Sequence, residues 1–319
     1  MAVYTEVSDG ELSAFIADYD LGTLLSFRGI AEGVENTNYI VHTDQAQFIL
    51  TLYEKRVDPD DLPFFLALLD HLKGTGLAVP APVQDRSGEA LRTLSGRPAA
   101  LFTFLEGLWV RRPKVQHCSA LGRALAEFHL KSEGFALERK NALSVESWAT
   151  LAKDCGAGAD DLEAGLSVAL TEESAELGKL WPDGLPKGVI HADLFPDNVF
   201  FIGDEISGFI DFYFACTDAF AYDLAICLNA WCFEPDHDFN VTKGRALLAG
   251  YESVRPLSEA ERDALPLLAR GSAFRFLLTR LYDWVNTPEG ALVKPKDPTE
   301  YLKKHRFHKA VGRISEYGL

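Results

Sequence analysis

Short runs rich in β-branched and aromatic residues open the chain, and this pattern is typical of β-strands. The runs cover residues 24–29, 38–42, 47–53 and 97–105. The polar segment 43–46 supplies a hairpin turn between the second and third of them. Helical spacing of apolar residues predicts helices over 8–20 and 60–74, and Ser8 with Glu11 forms a capping box at the start of the first.

The pattern changes after Glu106-Gly107, where apolar residues recur at the spacing of helices. The predicted helices cover residues 114–131, 144–154, 159–180, 217–232, 238–252 and 258–286. The segment 189–211 interrupts them and contains two short strands, near 199–202 and 206–210. We therefore predict an α+β protein with two lobes. Residues 1–105 form a small antiparallel β-sheet lobe with one or two helices, and residues 106–319 form a larger, mostly helical lobe.

Composition narrows the class of partner. The chain has 319 residues, 47% of them hydrophobic, and a formal net charge of −16, which argues against a nucleic-acid-binding role because phosphate contacts need clustered cations. No apolar run approaches the roughly 20 residues that span a bilayer, and the first residues do not resemble a signal peptide. The five scattered cysteines form no CxxC pair, which predicts a reducing, cytoplasmic location.

The segment 189–211 carries the clearest chemistry. It contains the spacing H-x-D-x-x-x-x-N at His191, Asp193 and Asn198, and Asp211 follows 18 positions after Asp193. Phosphoryl transfer from ATP uses such a set, in which one carboxylate meets the acceptor hydroxyl and an amide oxygen and a second carboxylate hold Mg²⁺. We predict that Asp193 is the catalytic residue and that Asn198 and Asp211 bind the metal, with Asp197 as a competing ligand.

Residues around this motif are predicted to have structural roles. His191 is expected to be a scaffold residue that hydrogen-bonds to the backbone. Asp218 is placed to cap the helix over 217–232, and Asp223 is expected to pair with the loop that carries Asp193. Cys227 and Cys232 lie in an apolar helical run and are expected to be buried rather than to bind metal.

A β-rich lobe joined by a short hinge to a helical lobe is the architecture of kinases, and ATP is the cofactor that it predicts. The segment 29–38 lies between two strands, and its small and polar residues would let main-chain N–H groups approach phosphates. We predict Gly33, Asn36 and Thr37 as cofactor-binding residues there. The chain has no GxxxxGK[ST] motif, so a P-loop enzyme is unsupported.

Several segments resemble the aminoglycoside phosphotransferase and choline kinase superfamily, whose members are small-molecule kinases with a protein-kinase-like fold. The resemblance lies in residues 102–107, 121–129, 191–198 and 209–212. It implies ATP and Mg²⁺ as cofactors, Asp193 as the catalytic residue, and Asn198 and Asp211 as metal ligands. It also implies that the main chain at Phe104, Leu105 and Glu106 contacts adenine.

Within that superfamily the chain is similar to the bacterial homoserine kinases. The similarity lies in residues 35–39, 48–54, 62–65 and 275–284. It implies ATP-dependent phosphorylation of the side-chain hydroxyl of L-homoserine, a step of threonine biosynthesis. It sets no oligomeric state.

One feature departs from the kinase pattern. Kinase folds place a Lys on the third strand, paired with a Glu on the following helix, whereas this chain has Thr51 there and no Glu on the helix over 61–72. Lys55 or Arg56, just past the strand, are the candidates to reach the phosphates.

Homoserine is a zwitterion, so its site needs a cation for the carboxylate and an acid for the ammonium group. Arg275 and Arg280 are the candidates for the carboxylate because guanidinium binds it bidentately. Five residues apart on a helix, they point roughly 140° away from each other, so only one is expected to face the site. Glu32, Glu35 and Asp283 are the candidates for the ammonium group.

Two alternatives remain open from the sequence. The same fold and motif would serve another alcohol, such as an aminoglycoside, choline, methylthioribose or a ketosamine. A non-catalytic binding module is the other alternative. It would predict loss of Asp193, Asn198 or Asp211, and all three are present.

Overall fold

The computed structural model describes residues 5–30, 36–54, 58–287 and 294–319. These residues form two compact units. The first contains the described residues up to 108 together with 134–137 and 207–213. The second contains 109–133, 138–206 and the described residues from 214 onward.

The first unit is built on an antiparallel sheet with two helices. Its strands are β1 (Leu24–Gly29), β2 (Thr37–Thr43), β3 (Gln47–Leu52), β4 (Pro82–Val83), β5 (Arg92–Leu94) and β6 (Arg97–Thr103), and its helices are α1 (Asp9–Ile16) and α2 (Leu62–Gly74). The strand order is β1-β2-β3-β6-β4, and β5 also pairs with β6. The predicted antiparallel β-rich lobe with one or two helices is confirmed.

Local sequence explains these elements. Along β2 every second residue is buried, and Tyr39 and Val41 join the core with Leu50 and Leu101. That alternation fixes the register, because a slip of one residue would turn the buried face to solvent. At α1 the predicted capping box is present, but the helix ends at Ile16, earlier than predicted.

The second unit is mostly helical. Its helices are α3 (Val115–Lys131), α4 (Val145–Cys155), α5 (Gly158–Leu162), α6 (Leu166–Leu180), α7 (Phe220–Trp231), α8 (Val241–Glu252), α9 (Glu259–Asn286) and α10 (Thr299–Ala310). The strands in the rest of the chain are β7 (Leu108–Trp109), β8 (Lys187–Ile190), β9 (Val199–Ile202), β10 (Glu205–Phe209) and β11 (Cys216–Ala219). Strands β8 and β11 pair antiparallel, with Ile190 opposite Cys216.

The structure corrects two of the predicted helices. The helix over 159–180 is divided into α5 and α6, and Gly165 between them has a φ of 82°. The helix over 217–232 begins only at Phe220, because Cys216–Ala219 pair with β8 instead. Asp218 is therefore not a helix cap; its side chain accepts a hydrogen bond from Asn141 at 2.7 Å.

Helix α10 was missed by the sequence analysis. Its buried residues include Lys304, His305 and His308, so the helix has little of the apolar periodicity that marks an amphipathic helix. Those polar groups are bonded internally: Lys304 Nζ donates to the main-chain oxygen of Asn229 at 2.8 Å. Tertiary bonds rather than local apolar pattern hold this helix in place.

The five cysteines are all free and buried, which confirms the predicted burial of Cys227 and Cys232. Within the described residues, no helix combines the length and the apolar character that a membrane crossing requires.

Helices α3 and α8 approach each other closely through two glycines. A Cβ added at Gly122 would overlap the carbonyl oxygen of Leu247 and lie 2.7 Å from the main-chain nitrogen of Tyr251. A Cβ added at Gly250 would overlap the carbonyl oxygen of Ser119. Because backbone atoms cannot move aside as a flexible side chain does, only glycine fits at this crossing.

We therefore expect Gly122→Ala to lower the free energy of unfolding by about 2 kcal/mol, since overpacking outweighs the helix propensity of Ala. Urea denaturation measures this change. Gly178→Ala in α6 is the matched control, because a Cβ there meets nothing within 4 Å. We expect it to be neutral or to stabilise by up to about 1 kcal/mol. Equal destabilisation by both variants would contradict the packing argument.

Candidate active site

The loop that carries the motif begins where β8 ends at Ile190 and continues into a turn of 3₁₀ helix over Pro196–Asn198. Proline suits the first position of such a turn because its φ is fixed and its missing N–H needs no partner. The N–H of Asn198 donates to the carbonyl of Phe195 at 3.0 Å. The indole N–H of Trp231 donates to the carbonyl of Leu194 at 2.8 Å. The loop is thus tied by its own backbone and by α7.

Asp223 of α7 anchors the start of this loop. Its carboxylate, which is fully buried, accepts the main-chain N–H of His191 at 2.8 Å and that of Ala192 at 2.9 Å. The predicted pairing of Asp223 with the loop that carries Asp193 is confirmed. His129 Nε2 lies 3.1 Å from the same carboxylate, and His129 Nδ1 lies 2.8 Å from the hydroxyl of Tyr251.

The bonds of Arg255 at the far end of this hydrogen-bond chain determine which atom donates at each step toward Asp223. Arg255, which can only donate, bonds to the Tyr251 hydroxyl at 3.3 Å and to Glu261 at 2.9 Å. The Tyr251 O–H is then left to donate to His129 Nδ1, which leaves the Nε2–H of His129 for Asp223. Burial lowers the pKa of His129 and keeps its ring neutral.

Asp223 itself stays ionised. Burial alone would raise its pKa, but the contacts from His129 and His191 lower it below the usual value of an Asp. An ionised carboxylate with three donors is a strong acceptor, and this strength supports the strained backbone beside it. Ala192 has a φ of 62°, in the left-handed region that a residue with a Cβ rarely adopts.

The structure brings Asp193 and Asn198 together. The side-chain amide of Asn198 donates to the main-chain oxygen of Asp193 at 2.8 Å and to its carboxylate at 3.4 Å. The N–H of Phe195 donates to the same main-chain oxygen at 2.8 Å. With its NH₂ group used in this way, Asn198 presents its carbonyl oxygen as the atom that can face a cation.

Charges near Asp193 oppose one another. Burial raises the pKa of its carboxyl to about 6, and the negative charge of Asp197 adds to this rise. The positive charges of Arg275, Lys296 and Arg280 lower the pKa and limit the rise. A half-buried carboxylate surrounded by cations is typical of a functional site.

Neither predicted carboxylate-binding arginine is free of protein partners. Arg275 is 3% exposed and donates from Nη1 to the carbonyl of Ala192 at 2.6 Å. Arg280 donates from Nη1 to Glu300 at 2.6 Å and lies over the ring of Tyr301. Arg275 therefore supports the catalytic loop, and Arg280 forms an ion pair.

Asp211 follows strand β10 and belongs to the first unit, whereas Asp193 and Asn198 belong to the second. It is exposed and has a φ of 64°. Among the described non-glycine residues, positive φ is limited to Ser95, Ala192, Asp211 and His237. Strain at Ala192 and Asp211, in the two turns that carry the motif, points to a functional role for these turns.

The predicted hinge residues follow strand β6. Phe104 is 39% exposed, and the carbonyl of Glu106 accepts the hydroxyl of Ser207 at 2.7 Å. Leu105 packs near Gly208, where an added Cβ would lie 2.7 Å from its side chain. Residues 104–107 have no regular secondary structure, and the Phe104 side chain is accessible to solvent.

Asn36 and Thr37 are buried, and their side chains meet Glu54. Asn36 accepts the N–H of Glu54 at 3.3 Å, and the Thr37 hydroxyl donates to its carboxylate at 2.8 Å. Glu54 also pairs with Arg97 at 3.2 Å. The sequence analysis missed Glu54 because nothing local marks a partner 17 residues away.

The remaining predicted residues lie outside the described ranges, on the surface or in the sheet. Gly33, Lys55 and Glu32, together with the alternatives Glu35 and Arg56, lie outside the described residues. Asp283 is exposed near the end of α9. Thr51, at the position of the usual kinase Lys, donates to Asn38 at 2.7 Å.

The donor set fits a hard cation. Across the described ranges, no group of three or more His, Cys, Asp and Glu side chains is assembled for a metal. Asn198 and Asp211 offer an amide and a carboxylate oxygen. Oxygen donors of these two kinds suit Mg²⁺, which also keeps several waters and binds phosphate oxygens.

Comparison with known proteins identifies the group to which the chain is similar. A family model described as "Phosphotransferase enzyme family" matches residues 26–257. The homoserine kinase of Xanthobacter autotrophicus is 62% identical over all of this chain and 99% of its own length, and that of Parvibaculum lavamentivorans has the same identity and coverage. Among solved structures, an amicoumacin kinase in complex with AMP-PNP and Ca²⁺ matches with a TM-score of 0.68 at 17% identity, over 98% of this chain and 94% of its own.

Asp223→Asn tests the anchor of the loop. The variant keeps the size of the side chain but turns an NH₂ group toward a main-chain N–H donor. We expect the free energy of unfolding at pH 7 to fall by about 2–4 kcal/mol, measured by urea denaturation, because buried donors lose their acceptor.

The dependence of the free energy of unfolding on pH in the acid range gives a second measurement. The folded pKa of Asp223 is lowered, so its contribution is complete above the unfolded value of about 3.9 and is lost as the pH falls further. The difference between wild type and Asp223→Asn is therefore expected to narrow in acid. Asp197→Asn, on the exposed part of the same loop, is the control and is expected to change stability by less than about 0.5 kcal/mol. Equal losses in both variants would refute the anchor.

Proposed function

Since the chain belongs to the phosphotransferase enzyme family, and within it to the homoserine kinases, we propose that it transfers the γ-phosphoryl group of ATP to the side-chain hydroxyl of L-homoserine. The observation that carries the proposal is the contact between Asn198 and Asp193 on a loop anchored by a buried carboxylate. The names of the full-length relatives, which are homoserine kinases, indicate that the acceptor is L-homoserine. The product is O-phospho-L-homoserine, a precursor in threonine biosynthesis.

Asp193 is the proposed catalytic residue. Its carboxylate accepts a hydrogen bond from the acceptor hydroxyl and orients the oxygen in line with the γ-phosphate. Little proton transfer is needed early in a loose transition state, so orientation is the larger contribution. The cations that lower the pKa of Asp193 keep enough of it ionised for this role at neutral pH.

Asn198 and Asp211 are the proposed Mg²⁺ ligands. When bound, the metal neutralises charge on the phosphates of ATP. The bonds from the Asn198 NH₂ group to Asp193 support this role because they orient its carbonyl oxygen. The strained backbone of Asp211, which has a positive φ, supports the role of Asp211 as the second ligand, since such strain is typical of functional sites.

The nucleotide contacts are proposed from the resemblance to kinases and from the position of these segments in the chain. The main chain at Phe104, Leu105 and Glu106 is proposed to meet adenine, and the segment with Gly33, Asn36, Thr37 and Lys55 to meet the phosphates. The side chains of Asn36 and Thr37 bond to Glu54, so we propose that these residues bind phosphate through their main-chain N–H groups. The free, buried thiols agree with the proposed cytoplasmic location.

The direct test is ADP release by the purified protein with Mg-ATP. The acceptors are L-homoserine, L-serine, choline, kanamycin, methylthioribose and a ketosamine. We expect strong turnover with L-homoserine alone and a phosphate monoester product by ³¹P NMR. Turnover with another acceptor and none with L-homoserine would refute the proposed substrate.

Asp193→Asn is expected to lower kcat by about 10²–10⁴-fold, the usual contribution of a positioned acid–base group. Calorimetry with Mg-ATP is expected to give nucleotide affinity close to wild type. Asp70→Asn, the same chemical change at an exposed carboxylate on α2, is expected to keep kcat within a few-fold. Near-normal turnover in Asp193→Asn would exclude Asp193 from the mechanism.

Asp211→Ala is expected to raise the Mg²⁺ concentration for half-maximal activity by about tenfold or more, because a charged oxygen ligand is lost. Titration of Mg²⁺ at fixed ATP measures this shift. Asp70→Ala, an exposed carboxylate on α2, is the control and is expected to leave the titration unchanged. An unchanged titration in Asp211→Ala would contradict the metal assignment.

A further inference from the structure

Three cations act on Asp193, and they differ in what else they bind. Arg275, Lys296 and Arg280 each lower the pKa of its carboxyl, so each lies close enough for its charge to be felt. An acceptor whose hydroxyl meets Asp193 places the rest of a small molecule among the same charges. The hydrogen bonds and ion pairs that each cation already makes with the protein therefore show which of them can bind that molecule.

Arg275 and Arg280 are engaged with the protein. Arg275 is 3% exposed, donates to the carbonyl of Ala192, and lies 4.2 Å from the ring centroid of Phe276. Arg280 is paired with Glu300, which also accepts from Lys304 at 2.6 Å. A carboxylate would compete with Glu300 for Arg280. Arg275 is too deeply buried to present its remaining donors to a ligand, although its Nε has no hydrogen-bond partner among the described residues.

Lys296 is different. It is exposed, and within the described part of the chain it has no hydrogen bond or ion pair. Its Nζ lies 5.4 Å from the ring centroid of Phe195. A cation–π contact of this kind contributes about 0.5–1 kcal/mol at an exposed site and uses none of the three N–H donors.

Phe195 fixes where this ammonium group lies. Its N–H donates to the carbonyl of Asp193 at 2.8 Å, and its ring packs edge-on against Phe276 with centroids 5.0 Å apart. It also contacts Tyr301 of α10. The ring that supports Lys296 is thus attached both to the loop that carries Asp193 and to two helices, and it holds the Lys296 ammonium group next to that loop.

We propose that Lys296 binds the carboxylate of the acceptor amino acid and selects for acceptors that carry one. The proposal rests on the proposed function, in which a short amino acid places its hydroxyl at Asp193. Its carboxylate is only a few bonds from that hydroxyl, so it needs a cation near Asp193 whose donors are free. In a chain of net charge −16, such a cation also offsets the repulsion that the carboxylate group of the acceptor meets.

The test compares two acceptors that differ by the carboxylate, L-homoserine and 3-aminopropan-1-ol. The variants are Lys296→Met, which keeps an unbranched side chain over Phe195, and Lys296→Arg, which restores the charge. Lys303→Met on α10 is the control, since Lys303 is exposed and has no bond to the described residues. Steady-state kinetics give KM for each acceptor and for ATP, and thermal melting confirms that each variant is folded.

We expect Lys296→Met to raise the KM for L-homoserine about 10- to 100-fold, the effect of losing a charge-assisted hydrogen bond. The KM for ATP and the kinetics with 3-aminopropan-1-ol are expected to stay within about twofold, and Lys296→Arg to recover most of the loss. The preference of the enzyme for L-homoserine over the amino alcohol then collapses.

Other outcomes overturn the proposal in distinguishable ways. A raised KM for ATP with an unchanged KM for L-homoserine would place Lys296 at the phosphates. Equal losses for both acceptors would show that the carboxylate is not its target, and no change at all would make Lys296 a solvated surface residue. Absence of turnover of L-homoserine by the wild type would refute the proposed function itself, and the carboxylate site with it.

Discussion

The buried carboxylate of Asp223 is the constraint on which the candidate site depends. Isolating a charge from water is strongly unfavourable, so Asp223 stays ionised in the core only because it accepts two consecutive main-chain N–H groups and the ring N–H of His129. Those N–H groups belong to His191 and Ala192, directly before Asp193. The interaction that compensates the buried charge therefore also sets the backbone from which the carboxylate of Asp193, the proposed catalytic residue, projects.

The same anchor links distant elements. Through His129 of α3, Tyr251 of α8 and Arg255, the chain of hydrogen bonds from Asp223 ends at Glu261 in α9. Helices α3 and α8 meet closely at Gly122 and Gly250, which keeps this chain short. Helix packing and loop geometry are thus coupled, because a shift of α8 would displace the Tyr251 hydroxyl that donates to His129 and weaken the bond from His129 to Asp223.

The charges that stabilise the ionised carboxylate of Asp193 are opposite in sign to the net charge of the whole molecule. The chain is strongly acidic, yet the charges that act favourably on Asp193 are three cations from α9 and the segment before α10. Aromatic rings of Phe195, Phe276 and Tyr301 hold these cations by their faces. A cation packed on a ring keeps its charge, and Lys296, which has no carboxylate partner among the described residues, can act on a bound anion.

The sequence by itself determined what depends on neighbours along the chain. Local spacing predicts strands β1, β2, β3 and β6, the capping box at Ser8 and the place of Asp193 and Asn198 on one loop, because turns and strand alternation need only a few consecutive residues. Tertiary structure decided the rest. It turned Cys216–Ala219 into a strand, attached Arg275 to Ala192, and built α10 on buried polar groups. It also left Lys296 unpaired within the described residues, next to Phe195. These outcomes depend on partners far away in sequence, and a polar side chain carries no local sign of which distant group will satisfy it.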